Sequence, residues 1–353
     1  MRRWKLVVLL VLAVFAAGCS GWVDDSPRPG SIYGHARVDV GGTTFPLAGV
    51  RVVTSGATNV VTQTQRDGRF TLSRLREGMH TVRLQALHGT YTDSLYVQER
   101  EELPWTVKPT NISPELFFQV STLKQVYADA SDRIVWDYGE LVRWEKKLIS
   151  VYMDVAGAPF GLDPAVPDAY WKELDRWESY LAYNYRFVRA HDPERADIVV
   201  QWVPPESLWP EVGIARQKAF YSNGALRRVE IEIDVEWADV PGLWEHELAH
   251  AMGIGHINDS KSVMYPFLAP GQRTTLSDVE VAHVRLMYDI PSGQRLVGGW
   301  GARFASLAAV ETEFEDDIML ISDEDWSTPG DIVPTSGSGP RTHVLRVAPG
   351  LEP

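Results

Sequence analysis

His246, Glu247, His250 and His256 fall in one short stretch, His246-Glu-Leu-Ala-His250-Ala-Met-Gly-Ile-Gly-His256. On an α-helix, residues four apart share a face, so His246 and His250 can aim their imidazoles at a single point. Neutral imidazole is a good zinc ligand, and three nitrogen ligands leave the fourth tetrahedral position for water. The third nitrogen must come from beyond the helix. Gly253, which lacks a Cβ, can take positive φ, end the helix and turn the chain back so that His256 completes the triangle. Three neutral ligands keep the full charge of the ion, so its water is expected to ionise at a pH of roughly 7. Glu247 is then placed to take that proton and hand it to a leaving amine. The expected chemistry is metal-assisted hydrolysis, with one catalytic Zn2+ held by His246, His250 and His256 and with Glu247 as the catalytic base.

A motif of this kind needs elements to hold it. Asp239-Val-Pro-Gly precedes it and predicts a helix start with Pro241 early in the helix; Trp244, Leu248 and Met252 give that helix a buried side. Upstream, Leu116, Val120, Leu123 and Val126 predict a helix, and the second half of Arg143-Trp-Glu-Lys-Lys-Leu-Ile-Ser-Val-Tyr-Met-Asp alternates like a strand. Between Val166 and Tyr183, Trp171, Leu174, Trp177 and Leu181 recur at helical spacing. Tyr185 to Val188, Ala196 to Trp202 and Arg228 to Asp234 read as strands. Downstream, Ser277 and Glu280 predict a capping box at the head of a further helix.

The spacing of the histidines around Gly253 resembles the metzincin zinc endopeptidases, whose signature includes a later methionine turn. Ser262-Val-Met-Tyr-Pro266 is similar to that turn, with Met264 as the methionine beneath the metal. Within the metzincins the stretch from about Arg143 to Tyr288 resembles the matrixins. Arg143-Trp144 with Leu148-Ile-Ser-Val-Tyr, the helix tryptophan Trp177, Ala196-Asp-Ile, and Leu276-Ser-Asp-Val-Glu-Val leading to Met287-Tyr288 carry the likeness. The resemblance implies a zinc-dependent endopeptidase that takes an extended peptide along the edge strand near Gly213 to Phe220. It places Tyr265 and Pro266 in the wall of the substrate pocket. Pro266 stands where astacins and serralysins have a zinc-reaching tyrosine, so no tyrosine ligand is expected. The chain departs from matrixins in carrying Ile257 after the third histidine, in lacking a histidine in Gly213-Ile-Ala-Arg-Gln-Lys, and in having no cysteine other than Cys19 ahead of the domain to cap the zinc. Calcium is therefore possible but unsupported, and a cysteine switch is not expected.

Ahead of this domain the pattern differs. Ile32 to Val40, Val50 to Thr54, Val60 to Thr64, Phe70 to Leu72, Thr81 to Leu87 and Ser94 to Val97 are short alternating runs separated by turn signals, which predicts an antiparallel β-sandwich. Leu47-Ala-Gly-Val-Arg-Val-Val, Asp67-Gly-Arg-Phe-Thr-Leu and Leu75-Arg-Glu-Gly-Met-His-Thr-Val resemble the carboxypeptidase regulatory-like domain. Its Asp67-Gly68 pair is expected to form a hairpin turn with positive φ. His35, His80 and His88 are scattered and read as solvated side chains, so the sandwich is expected to act as a spacer or docking module.

Arg2, Arg3 and Lys5, followed by the apolar run Leu6 to Ala17 and Gly18, predict an export signal. Cys19, the only cysteine, follows Ala16-Ala-Gly and resembles the lipidated cysteine of a bacterial lipobox, with Ala16 where leucine is usual. The expectation is an exported lipoprotein anchored to a membrane of the cell envelope, the outer membrane in a Gram-negative host. The net charge of −13 argues against nucleic acid as a partner.

The expected fold class is thus multidomain, an N-terminal all-β sandwich plus an α+β zincin of metzincin type with a mixed, mostly parallel sheet. Residues 1–18 are assigned to the signal, 19–30 to a tether, 31–110 to the sandwich, 111–291 to the catalytic domain and 292–353 to an acidic, largely flexible tail. The expected partners are a peptide or protein substrate, a membrane through the lipid, and an envelope protein for the sandwich. A zinc-containing, non-catalytic binding or adhesion lipoprotein is the alternative; Glu247 argues against it, because a structural site needs no carboxylate beside its ligands.

Overall fold

The computed structural model describes residues 30–121, 125–128, 133–136, 140–159, 162–205, 215–265, 267–268, 271–296, 319–322 and 343–347. Cys19, Pro266, the predicted signal and most of the predicted tail lie outside the described residues.

Strict alternation of apolar residues builds the first unit. In β1 (Gly30–Val40), Ile32, Ala36, Val38 and Val40 turn inward and are buried. β1 pairs antiparallel with β2 (Thr43–Pro46) and β5 (Arg69–Leu75), and parallel with β8 (Arg100–Val107). A second sheet runs in the order β4 (Val61–Gln63), β3 (Arg51–Gly56), β6 (Gly78–Gln85), β7 (Thr90–Val97), all antiparallel. β8 is not legible as a strand in sequence because of its charges and Pro104, yet Leu103, Trp105 and Val107 point inward. Among the described residues its strand partner is β1 alone, and proline is tolerated on such an edge. Gly68 has φ +82 as expected, but its turn carries the chain from β4 in one sheet to β5 in the other and does not close a hairpin.

The helix predicted from Leu116 to Val126 is shorter: α1 spans Pro114–Ser121, and Val126 belongs to β9 (Gln125–Ala128), paired antiparallel with β10 (Arg133–Trp136). Val126, Tyr127, Ile134, Val135 and Trp136 are strand-favouring residues, and mutual pairing outcompetes continuation of the helix.

The second unit is a mixed sheet. β11 (Leu148–Met153) lies parallel to both β12 (Arg186–Arg189) and β13 (Ile198–Val203), and β13 lies parallel to β15 (Ala225–Asp234). β14 (Ala215–Ser222) reverses direction against β15. Parallel strands need crossovers, and α2 (Val166–Tyr180) supplies the one between β11 and β12. α2 packs on α3 (Leu243–Ala251), the motif helix, through Tyr170 stacked on Trp244 at 4.4 Å. The Trp177 indole donates to Glu245 Oε2 at 3.1 Å. α4 (Asp278–Asp289) closes the unit and carries the predicted capping box of Ser277 and Glu280. Two strands come from the predicted tail: β17 (Met319–Ser322) and β18 (His343–Val347) both join β14, and β18 also pairs with β16 (Phe267–Leu268).

The two units are joined by a polar clasp. Asp289, at the end of α4, accepts the backbone amides of Leu87 and His88 at 3.0 and 2.9 Å and contacts His88 Nδ1 at 2.6 Å. Arg66 pairs with Glu145 and donates to the Ser292 carbonyl at 2.8 Å. The expectation that His80 and His88 are solvated is therefore corrected. Both are buried, His88 because it faces Asp289, and His80 because its Nε2 reaches the Arg76 carbonyl at 2.8 Å.

Candidate metal centre

α3 begins later than expected. Gly242, at φ +89, precedes the first helical residue, Leu243, so Pro241 lies before the helix and not within its first turn. Every residue of α3 is buried, more than the predicted one-sided pattern. The helix is sealed on one side by α2 and crossed on another by the Gln217 side chain of β14, whose Nε2 donates to the Glu247 carbonyl at 2.9 Å.

Gly253 does what its lack of a Cβ permits. It has φ +88, and a Cβ there would stand 2.1 Å from the Val142 carbonyl oxygen. The tight reversal returns the chain toward the helix face. His246, His250 and His256 meet there, each offering one nitrogen within 4.8 Å of the others. Among the described residues this is the only such group of three or more histidine, cysteine or acidic side chains.

The surroundings set the ring orientation. His246 Nδ1 lies 2.6 Å from the Val263 carbonyl, and His250 Nδ1 lies 2.7 Å from the Ile254 carbonyl. A carbonyl accepts only, so each Nδ1 carries the proton and each Nε2 presents a lone pair. Those Nε2 atoms are 2.9 Å apart, and His256 Nε2 is 3.3 Å from His246 Nε2. Lone pairs so close repel unless a cation sits between them. Tetrahedral zinc with bonds of about 2.0–2.1 Å separates its nitrogens by about 3.3–3.4 Å, close to the spacing seen. Burial also holds the rings neutral: it drives His246 down to about 4, and pushes His256 well below the ordinary histidine range, aided by the charges of His250 and His246. The donor set therefore fits zinc.

Glu247 is buried beside these histidines, and neither carboxylate oxygen has a hydrogen-bond partner among the described residues. Burial alone pushes its carboxyl up to about 8. Met264 is fully buried, and its carbonyl accepts the Ile257 amide at 2.9 Å, which ties the turn to the residue after His256. Tyr265 follows on the same turn and is partly buried.

Sequence reasoning missed how the turn is held. Glu280 of the capping box accepts the Ser262 hydroxyl at 2.5 Å, and Ser262 Oγ accepts the Met264 amide at 3.1 Å. Arg273 donates to the same Glu280 oxygen at 3.0 Å. The cap of α4 thus fixes the turn whose Val263 carbonyl orients His246. Gln217 was also missed; its place on a strand gave no chemical signal.

Comparison with known proteins agrees with this geometry. The profile of the Matrixin family, peptidase M10, matches residues 229–289, from within β15 to the end of α4. No curated protein matches the chain. Among solved structures, a minor pilin of Streptococcus agalactiae and the TIE protein of Bacillus anthracis are each similar at 16% identity with a TM-score of 0.20 over 23% of this chain. The 5-hydroxyisourate hydrolase of Klebsiella pneumoniae is similar at 14% identity with a TM-score of 0.19 over 23% of this chain and 90% of its own. The likeness spans 44% of the pilin chain and 16% of the TIE chain, less than half of either. The family match, which contains all three histidines, Glu247 and Met264, supports a matrixin-like metallopeptidase domain built around this centre.

Proposed function

We propose that the chain is a zinc-dependent endopeptidase, tethered to a bacterial cell envelope through a lipid on Cys19. The observation that carries the catalytic part is the convergence of three imidazole nitrogens beside a buried carboxylate whose two oxygens have no partner among the described residues. His246, His250 and His256 would hold the metal. When bound, zinc supplies Lewis acidity toward the scissile carbonyl and toward water.

The chain's own groups do the rest. The Val263 and Ile254 carbonyls fix the tautomers of His246 and His250, so that Nε2 of each faces the centre. Glu247 accepts a proton from the attacking water at a carboxylate oxygen and returns it to the leaving nitrogen of the peptide. Burial of the whole centre excludes bulk water and strengthens these interactions. Met264 would floor the site and Tyr265 would stand in the wall of the substrate pocket, the place that the matrixin resemblance also assigns to Pro266, which lies outside the described residues. The sandwich, clasped through Asp289, holds a fixed position on the catalytic unit and offers its outer face to an envelope partner.

The test is digestion of a peptide library by the whole protein after zinc removal, and again after zinc is restored. Internal cleavage that disappears and returns with zinc is expected. Cleavage indifferent to chelator refutes the assignment, as does the absence of cleavage by the zinc-restored protein both with β18 in place and with β18 displaced by substitution. The tether is tested separately: wild-type protein from envelope extracts should partition into detergent and Cys19→Ser should not.

A further inference from the structure

The sheet meets the metal centre at β14, where Gln217 holds the Glu247 carbonyl. Sequence reasoning leaves the outer edge of this strand for substrate. In the structure that edge is taken. β18 runs antiparallel along it, with Ala215 opposite Leu345, Arg216 opposite Val344 and Gln217 opposite His343. β17 continues the cover in parallel from Lys218 to Tyr221. The far edge of β18 is also paired, in parallel, with Phe267 and Leu268, which follow the Met264 turn. β18 is therefore an extended segment bonded on both edges, seated between the two elements that flank the centre. Meanwhile the three histidines and Glu247 are at most 2% exposed. A centre that cleaves a polypeptide must admit an extended chain to those atoms.

We propose that the C-terminal strand His343–Val347 is a built-in occupant of the substrate cleft that keeps the enzyme latent, and that an extended peptide substrate enters by displacing it. The proposal rests on the endopeptidase reading above. Strand addition recognises backbone first, so a segment of the chain itself can hold the position a substrate needs. Being on the same molecule, it competes at an effective concentration of order millimolar.

The test uses the full chain with Val344→Pro and Leu345→Pro combined. Successive amides of a strand point to opposite edges, and proline donates from neither, so the pair unseats β18 without touching the metal site. Two quantities are measured on the zinc-loaded protein: amide exchange of Ala215–Gln217, and kcat/KM on a fluorogenic peptide. The expected result is exchange and kcat/KM that each rise about tenfold or more, with competitive inhibition restored by a synthetic peptide of residues 341–349. Unchanged exchange, or faster exchange with unchanged kcat/KM, overturns the proposal. Faster exchange with no hydrolysis by either form refutes the endopeptidase reading and leaves the seating of the strand supported.

Discussion

Gly253→Ala is the substitution on which the geometry of the centre bears most sharply. Two penalties act at once. The backbone sits at φ +88, where an L side chain costs about 1–2 kcal/mol. The added Cβ would also lie 2.1 Å from the Val142 carbonyl oxygen, 3.1 Å from its carbon and 3.3 Å from Arg143 Cα, all backbone atoms. Val142 and Trp144 are buried, and the Trp144 indole donates to the Ala251 carbonyl at 2.7 Å, so this segment cannot yield freely. Relief requires a displacement of roughly an ångström, whereas metal ligands tolerate about 0.2 Å. The chain between Gly253 and His256 is the softer partner, so His256 should leave the triangle. Loss of a well-placed third ligand should weaken zinc binding by about 100-fold or more, and unfolding free energy should fall by at least about 2 kcal/mol. Competition against a chromophoric chelator gives the first and urea unfolding the second. Zinc affinity within threefold of wild type, with unchanged unfolding, would refute the claim that this reversal places His256.

Further outcomes follow from the same contacts. Asp289→Ala strands the buried amide and Nδ1 of His88 and the half-buried amide of Leu87 at the junction of the units; urea unfolding should show a loss of about 3 kcal/mol or more, and a loss below about 1 kcal/mol would mean the clasp is not a stabilising contact. His283 Nε2 accepts the Ser113 amide at 2.9 Å and lies 3.2 Å from the Ser113 carbonyl, while Nδ1 faces the Val279 carbonyl at 2.6 Å; burial lowers its pKa despite those two carbonyls and the Glu280 charge. The folded protein therefore holds fewer protons here than the unfolded chain just below the ordinary histidine pKa of about 6.5. Its contribution is fully present above that pH and is lost as pH falls toward the lower folded value. His283→Gln should flatten the stability-versus-pH curve just below about pH 6.5, and an unchanged slope there would remove His283 as the cause.

What could be read from sequence was local. His246, His250 and Gly253 lie within two turns of chain, where helical period and glycine's freedom decide geometry without help from elsewhere. Ser277 and Glu280 cap α4 for the same reason. What could not be read was settled at long range. His88 and Asp289 are 201 residues apart, and only the docked units bring them together. β8 hid its strand character because its charges face solvent on an edge. Gln217 gained its role only when β14 was laid across α3. The strands at Met319 and His343 lie in a segment whose composition argued for a solvated tail, and it is pairing with β14 that makes them strands.

Glu247→Gln tests the central claim most directly, because it keeps the size of the side chain and leaves the three imidazoles in place. Zinc content by metal analysis and kcat/KM on a cleaved peptide are measured on the same preparation. Zinc is expected to be retained in full and kcat/KM to fall by about 10²–10⁴-fold. Full zinc with hydrolysis at the wild-type rate would contradict it.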